Sequence, residues 1–145
     1  MSSEIERFSL LLVEDSPADV YLVRTAMVQE GLNVDLNVVE DGEQAIEIVN
    51  RVDAGRGTRA PDLMLLDINV PRRTGNEVLE RIRRSPRCAH IPVLMISSSD
   101  SPAERGRAFE LGANGYFRKP SSLSEFMQLG KLVRQLHDQS RRTAA

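Results

Sequence analysis

The chain has 145 residues, of which 41% are hydrophobic and 28% are charged, and its formal net charge is −2. This balance is typical of one globular domain, and the small net charge gives no electrostatic reason to expect a nucleic acid or an anionic membrane as a partner. The single cysteine, Cys88, excludes an internal disulfide, and with only two histidines a zinc site is unfavourable. No segment has the apolar run of a signal peptide or of a membrane span of about 20 residues, so the sequence predicts a cytoplasmic protein.

Five short apolar segments alternate with longer amphipathic segments along the chain. The apolar segments predict strands that are buried on both faces, and they cover residues 10–13, 34–39, 63–66, 93–96 and 116–117. The amphipathic segments predict helices, because apolar residues recur at spacings of three and four and capping residues stand at the helix starts. The predicted helices run from Ser16 to before Gly31, over about 43–52, over about 75–84, from the capping box Ser101–Glu104 to Leu111, and from the capping box Ser122–Glu125 to between residues 136 and 139.

Five consecutive strand–helix units predict a flavodoxin-like (βα)5 fold of the α/β class. We expect a doubly wound, five-stranded parallel sheet with strand order 2-1-3-4-5 and helices on both faces. The expected organisation is an N-terminal extension over residues 1–8, one folded domain over residues 9–139, and a flexible tail over residues 140–145, with no output domain. In this order strands 1 and 3 are neighbours, so a reactive group should lie at their C-terminal ends.

Polar residues stand where the predicted strands end. Glu14 and Asp15 follow strand 1, Asp67 follows strand 3, Ser97 follows strand 4, and Lys119 follows strand 5. Three carboxylates in one pocket repel each other and require a counter-charge, which Lys119 and a Mg²⁺ ion with oxygen ligands would supply. A carboxylate beside Mg²⁺, an ammonium group and a hydroxyl is well placed to attack phosphorus, so these residues predict an aspartyl-phosphate acceptor.

Each of these residues has a simpler interpretation when it is considered alone. Acids at a helix start are favoured by the helix dipole, a serine after a strand is common in turns and caps, and an isolated Lys119 is usually solvated. Asp67 is harder to explain in this way, because a carboxylate that ends a buried apolar strand is costly unless it is paired or used. The ordered occurrence of all these residues across five units favours a functional site.

The ordered motifs resemble the CheY-like receiver domains of bacterial two-component response regulators. The matching segments are Leu12–Ser16, Asp41–Gly42, Pro61–Pro71, Gly75, Ile91–Ser97 and Gly112–Pro120. The resemblance covers about residues 9–136. It implies a phosphoacceptor switch in a two-component or phosphorelay system, which takes its phosphoryl group from a histidine kinase and is not an enzyme beyond its own phosphorylation and slow autodephosphorylation.

The resemblance also implies a role for each residue at the strand ends. Asp67 would be the phosphoacceptor, and Lys119 and Ser97 would contact the phosphoryl group. The ligands of Mg²⁺, or of Mn²⁺, would be Glu14, Asp15, Asp67 and the backbone carbonyl of Asn69.

A conformational switch is part of the same resemblance. Ser97 would move toward the phosphoryl group and Tyr116 would rotate inward, although plain packing is the alternative role for Tyr116. The face formed by predicted helix 4, strand 5 and helix 5 would then bind a different protein partner. Asn69 and Ser99 would tune the phosphoryl lifetime, and the Lys119–Pro120 peptide bond would be cis.

A narrower resemblance is to the response regulators that partner bacterial phytochrome kinases. It depends on the long loop over residues 51–60 and on the segments Val13–Asp19 and Pro71–Leu79. It implies a bacteriophytochrome histidine kinase as the partner and a homodimer through the face of predicted helix 4, strand 5 and helix 5.

Three other interpretations stay open at the level of the sequence. A haloacid dehalogenase-type phosphatase normally has a second Asp two residues after its nucleophile, where this chain has Asn69. A flavodoxin-like FMN protein needs a phosphate-binding loop after strand 1, where Glu14 and Asp15 would repel a phosphate. A pseudo-receiver would share the fold without being phosphorylated.

Overall fold

The structure, a computed structural model, describes residues 6–144. One parallel sheet forms the centre of the domain, and its strands are β1 (Phe8–Val13), β2 (Val34–Val39), β3 (Leu63–Asp67), β4 (Val93–Ser97) and β5 (Gly115–Arg118). Their order is β2-β1-β3-β4-β5, and each neighbouring pair is parallel. The predicted flavodoxin-like sheet is therefore confirmed.

The helices agree with the prediction at their starts more closely than at their ends. They are α1 (Pro17–Gln29), α2 (Gly42–Asp53), α3 (Gly75–Arg83), α4 (Pro102–Glu110), α5 (Leu123–Phe126) and α6 (Leu129–Ala144). Because α2 extends to Asp53, the loop before β3 covers residues 54–62. Within residues 6–144, no helix is long and apolar enough to cross a membrane.

The C-terminal helix differs from the prediction in two ways. A turn at residues 127–128 divides it into α5 and α6, and α6 continues through residues that we expected to form a tail, so the predicted end at residues 136–139 is wrong. The last turns have partners of their own, since Arg141 forms an ion pair with Glu6 at 2.6 Å and the Thr143 hydroxyl donates to the Gln139 carbonyl at 3.0 Å. Residues 1–5 of the predicted N-terminal extension lie outside the described residues.

Two apolar clusters lie on opposite faces of the sheet. One contains buried residues of α2, α3 and α4, and the other contains buried residues of α1, α5 and α6. Side chains of β1 alternate between them, with Leu10 and Leu12 in one cluster and Leu11 and Val13 in the other. Full burial of each such side chain contributes about 1.5–3 kcal/mol, so packing on both faces fixes the position of the strand ends.

Only half of each predicted capping box forms, at α4 and at α5: the serine hydroxyl accepts the backbone N–H, and the reciprocal bond to the glutamate is missing. At α4 the Ser101 hydroxyl accepts the backbone N–H of Glu104 at 3.3 Å, but the carboxylate of Glu104 binds the Ser97 hydroxyl and not its own N-cap. A complete capping box forms at α3 between Thr74 and Glu77, where we had predicted none. The first turn of α4 is thus joined to the end of β4 by a side chain.

The Lys119–Pro120 bond is not cis. All peptide bonds between the described residues are trans, so the expected cis bond is wrong. The trans form is favoured by about 0.5–1 kcal/mol for an X–Pro bond. In this form the Lys119 backbone N–H donates to the Ser97 carbonyl at 2.7 Å, which ties the end of β5 to the end of β4.

His137 of α6 stacks on Phe8 of β1, with ring centroids 3.8 Å apart and 11° between the ring planes. Burial lowers the pKa of His137 from its usual 6.5, and the positive charge of Arg141 lowers it further. The carboxylates that oppose this decrease are Asp62, Asp138 and Glu6. A histidine with a lower pKa in the folded state takes up a proton on unfolding, so folding stability decreases as the pH falls below about 6.5.

We expect His137→Phe to weaken this pH dependence. The ring stack would be kept, while the group that is protonated on unfolding would be removed. Urea unfolding at pH 7.5 and pH 5 should show a smaller loss of stability in His137→Phe than in the wild type. The exposed His90 provides a control, since His90→Gln should keep the wild-type loss. An equal loss in His137→Phe and the wild type would contradict this role of His137.

Candidate functional site

The C-terminal ends of β1, β3 and β5 meet at one edge of the sheet. Glu14 follows β1, Asp67 is the last residue of β3, and Lys119 follows β5. β1 and β3 are direct neighbours, and Asp67 pairs with Ile96 of β4, one residue before Ser97. The residues that the sequence analysis placed at this edge are therefore brought together by strand order and register.

The Lys119 ammonium group lies at the centre of three carboxylates. Its Nζ donates to Asp67 Oδ2 at 2.7 Å, to Asp19 Oδ2 at 2.7 Å and to Glu14 Oε1 at 2.9 Å. These three bonds use all the donors of the ammonium group. Burial lowers the pKa of Lys119, but the hydrogen bonds to the carboxylates outweigh burial and hold the pKa above its usual value. Lys119 is therefore a fixed positive charge.

Glu14 is the most buried acid of this edge, with 2% of its surface exposed. Burial raises the pKa of Glu14 to about 7, and the negative charge of Asp67 adds to the increase against the opposing hydrogen bond from Lys119. Its second carboxylate oxygen accepts the backbone N–H of Ser16 at 3.1 Å. One lysine does not balance the acids around it, so this edge favours a further cation.

Three of the acids have the arrangement of a metal site. Ligand oxygens of Glu14, Asp15 and Asp67 lie within 4.8 Å of one another, and Asp15 is the exposed member. Carboxylate oxygens are the ligands that Mg²⁺ and Mn²⁺ prefer. Asn69 is exposed, and its backbone N–H donates to Asp67 Oδ1 at 2.9 Å. The donor set fits a divalent cation with several water ligands.

The hydroxyl of Ser97 is committed to a partner other than Asp67. Ser97 is fully buried, and its Oγ donates to Glu104 Oε1 at 2.7 Å and accepts the backbone N–H of Ser99 at 3.0 Å. Ser97 thus lies on the strand next to that of Asp67, but its hydroxyl donates its hydrogen bond to Glu104 of α4.

Tyr116 occupies an inward position. It is 6% exposed, and its hydroxyl donates to the Ser99 carbonyl at 2.8 Å. Burial raises the pKa of Tyr116, and the guanidinium group of Arg105 lies 5.1 Å from the ring centroid. The side chain belongs to the apolar cluster under α2, α3 and α4, so packing holds it in the inward position.

Two acids of the site were missed by the sequence analysis. Asp19 lies in the first turn of α1 and binds Lys119, and Glu104 lies in the first turn of α4 and binds Ser97. Both stand in a helix that starts at the C-terminal edge of the sheet. That position is the signal that could have identified them, because the first turn of such a helix faces the strand ends.

A doubly wound parallel sheet with carboxylates and a lysine at its switch point defines a class of phosphoryl-accepting α/β domains. The profile of the response regulator receiver domain matches residues 10–131. The chain belongs to this family. Receiver domains accept phosphoryl groups from histidine kinases and switch their conformation on phosphorylation.

Known relatives cover most of this chain. The probable methanogenesis regulatory protein FilR2 of Methanothrix harundinacea is 35% identical over 81% of this chain and 76% of its own length. The response regulator Rcp1 of Synechocystis sp. is 31% identical over 83% of this chain and 82% of its own length.

Solved structures agree with the sequence relatives. The phosphorylated cyanobacterial phytochrome response regulator RcpA has a TM-score of 0.79 and 30% identity, and the match covers 90% of this chain and 93% of that chain. The Mn²⁺-bound form of Rcp1 has a TM-score of 0.77 and 29% identity, and the match covers 88% of this chain and 92% of that chain.

Proposed function

We propose that this chain accepts a phosphoryl group on Asp67 from the phosphohistidine of a histidine kinase. The observation that carries the proposal is the position of Asp67: it ends β3, is 5% exposed, and has its two carboxylate oxygens bound by Lys119 Nζ and the Asn69 N–H. A buried carboxylate held at both oxygens is oriented for attack.

In the proposed reaction an oxygen of Asp67 attacks phosphorus. An oxygen–phosphorus bond forms, the phosphorus–nitrogen bond of the phosphohistidine breaks, and the electron pair of the broken bond returns to the imidazole nitrogen. Lys119 offsets the charge on the phosphoryl oxygens in the transition state. Its ammonium group is already 2.7 Å from Asp67 Oδ2, so it needs only a short movement to bind a phosphoryl oxygen.

We propose that Glu14, Asp15, Asp67 and the backbone carbonyl of Asn69 hold Mg²⁺ or Mn²⁺. The closely spaced carboxylates and the Mn²⁺-bound form of the similar Rcp1 support this proposal. When bound, the ion would offset the charge of the carboxylates and of the transferred phosphoryl group. The ammonium group of Lys119 and the metal ion would then together balance the negative charge of the carboxylates.

The proposed output is a change of the surface formed by α4, β5, α5 and α6. Phosphorylation would draw the Ser97 hydroxyl toward Asp67 and favour one of two arrangements of this surface. Since Tyr116 is already inward, phosphorylation would stabilise its position and not create it. Tuning of the phosphoryl lifetime by Asn69 and Ser99 stays a prediction, as does homodimerisation through this surface.

We propose a phytochrome-type histidine kinase as the partner that supplies the phosphoryl group. The support is the similarity to RcpA, a cyanobacterial phytochrome response regulator, over 90% of this chain, together with the segments Val13–Asp19 and Pro71–Leu79. Phosphotransfer from purified kinases, with a phytochrome kinase among them, would test this part.

The proposed phosphorylation is tested with a small-molecule donor. Incubation with phosphoramidate and Mg²⁺ should add one phosphoryl group, and fragment mass spectrometry should place it on Asp67. Chelation of the metal with EDTA should reduce the reaction strongly. A chain that stays unmodified, as a pseudo-receiver would, or that is modified at another residue, would contradict the proposal.

A further inference from the structure

Glu104 binds Ser97, one of the two residues to which the switch is assigned. Its Oε1 accepts a hydrogen bond from the fully buried Ser97 hydroxyl at 2.7 Å. Its negative charge also raises the pKa of the Tyr116 hydroxyl, although burial of the ring is the larger cause. Glu104 stands in the first turn of α4, so its side chain connects this helix to the end of β4.

The position of the Glu104 carboxylate is not the one that its local sequence favours. Ser101 and Glu104 have the spacing of a capping box, and the same spacing produces a complete box at Thr74 and Glu77. At α4 the N-cap N–H of Ser101 donates instead to the Ser99 hydroxyl at 3.1 Å. The carboxylate that would have accepted this N–H is thereby left for Ser97.

Ser97 has one hydroxyl proton, and that proton serves one acceptor at a time. While it is donated to Glu104, it is not donated to a group on Asp67. Water cannot readily substitute for either partner, because Ser97 is fully buried. A hydrogen bond to a carboxylate is stronger than a bond between neutral groups, so Glu104 is an effective competitor for the hydroxyl.

We propose that Glu104 is a positioning residue that holds the Ser97 hydroxyl away from Asp67 until phosphorylation, and that loss of this bond releases the first turn of α4. The inference rests on the proposed function of Asp67 and Ser97. A phosphoryl dianion on Asp67 carries more charge than the Glu104 carboxylate, so it replaces Glu104 as the acceptor of the hydrogen bond from the Ser97 hydroxyl. The bond to Glu104 thus opposes activation and couples it to the movement of α4.

The test uses beryllofluoride, a noncovalent mimic of the phosphoryl group, in the presence of Mg²⁺. Glu104→Gln keeps the shape of the side chain and removes its charge, so Ser97 is released more easily. We expect about tenfold tighter beryllofluoride binding by calorimetry, which corresponds to about 1.4 kcal/mol. Glu110→Gln is the matched control, because Glu110 lies on the same helix with its side chain 73% exposed and should bind as the wild type does.

A double-mutant cycle with Ser97→Ala separates positioning from a general effect of charge. The gain from Glu104→Gln should disappear when the hydroxyl is absent. An equal gain in both backgrounds, or no gain in the wild-type background, would overturn the inference while leaving the proposed function intact. A wild-type protein that does not bind beryllofluoride would instead contradict the proposed function, and this inference with it.

Discussion

Asp67→Asn is expected to abolish phosphorylation by phosphoramidate while the domain stays folded. An amide is not a nucleophile toward phosphorus under these conditions, so the covalent step is lost completely. The fold is expected to persist, because an asparagine oxygen can still accept the Asn69 N–H that binds Asp67 Oδ1 at 2.9 Å. Lys119 keeps Glu14 and Asp19 as partners, so the substitution leaves no unpaired buried charge.

The control for this variant lies at the opposite end of the same strand. Asp62 precedes β3, and its Oδ2 accepts the backbone N–H of Ser9 at 2.8 Å. Asp62→Asn also removes one negative charge, but it does so far from the C-terminal edge of the sheet. Intact mass spectrometry should show a phosphoryl adduct in the wild type and in Asp62→Asn. An adduct of the same yield in Asp67→Asn would show that another residue is the acceptor.

The sequence was sufficient to predict the sheet and to place the candidate site residues at one edge of it. Buried parallel strands have continuous apolar segments, and the strand order then places Glu14, Asp67 and Lys119 at one edge. The ammonium group 2.7 Å from Asp67 Oδ2 shows that this placement is correct. The geometry is compatible with the roles that we propose for these residues. The phosphorylation experiments test those roles.

The partners of Lys119 and Ser97 were harder to predict. Acids in the first turn of a helix are favoured by the helix dipole whether or not they have a function. The residue type of Asp19 and Glu104 therefore does not mark them as site residues, and only their place at the C-terminal edge of the sheet does so. Glu104 also fits a capping box with Ser101, and a local motif of this kind does not reveal a tertiary competitor. The choice between Ser101 and Ser97 as its partner is made by the end of β4, which lies outside the helix.

The second large effect is expected from Gly75→Ala, at the start of α3. A Cβ atom added there would lie 2.6 Å from the carbonyl oxygen of Asp67 and 2.8 Å from the Cα of Ile68. Both neighbours are backbone atoms, which cannot move aside as a flexible side chain would. The Gly75 N–H also donates to the Ile68 carbonyl at 3.0 Å, so the helix start cannot move away without losing that bond. We expect a loss of about 3 kcal/mol in the free energy of unfolding.

Gly75→Ala should also slow phosphorylation, because the displaced backbone is that of the phosphoacceptor itself. Gly106→Ala is the matched control: an added Cβ meets nothing within 4 Å in the middle of α4, and better helix propensity should stabilise the protein by up to about 1 kcal/mol. Urea unfolding and the phosphoramidate rate should be measured on both variants. Wild-type stability and rate in Gly75→Ala would contradict this prediction. Asp67 would then be positioned by the strand register and not by close backbone packing at Gly75.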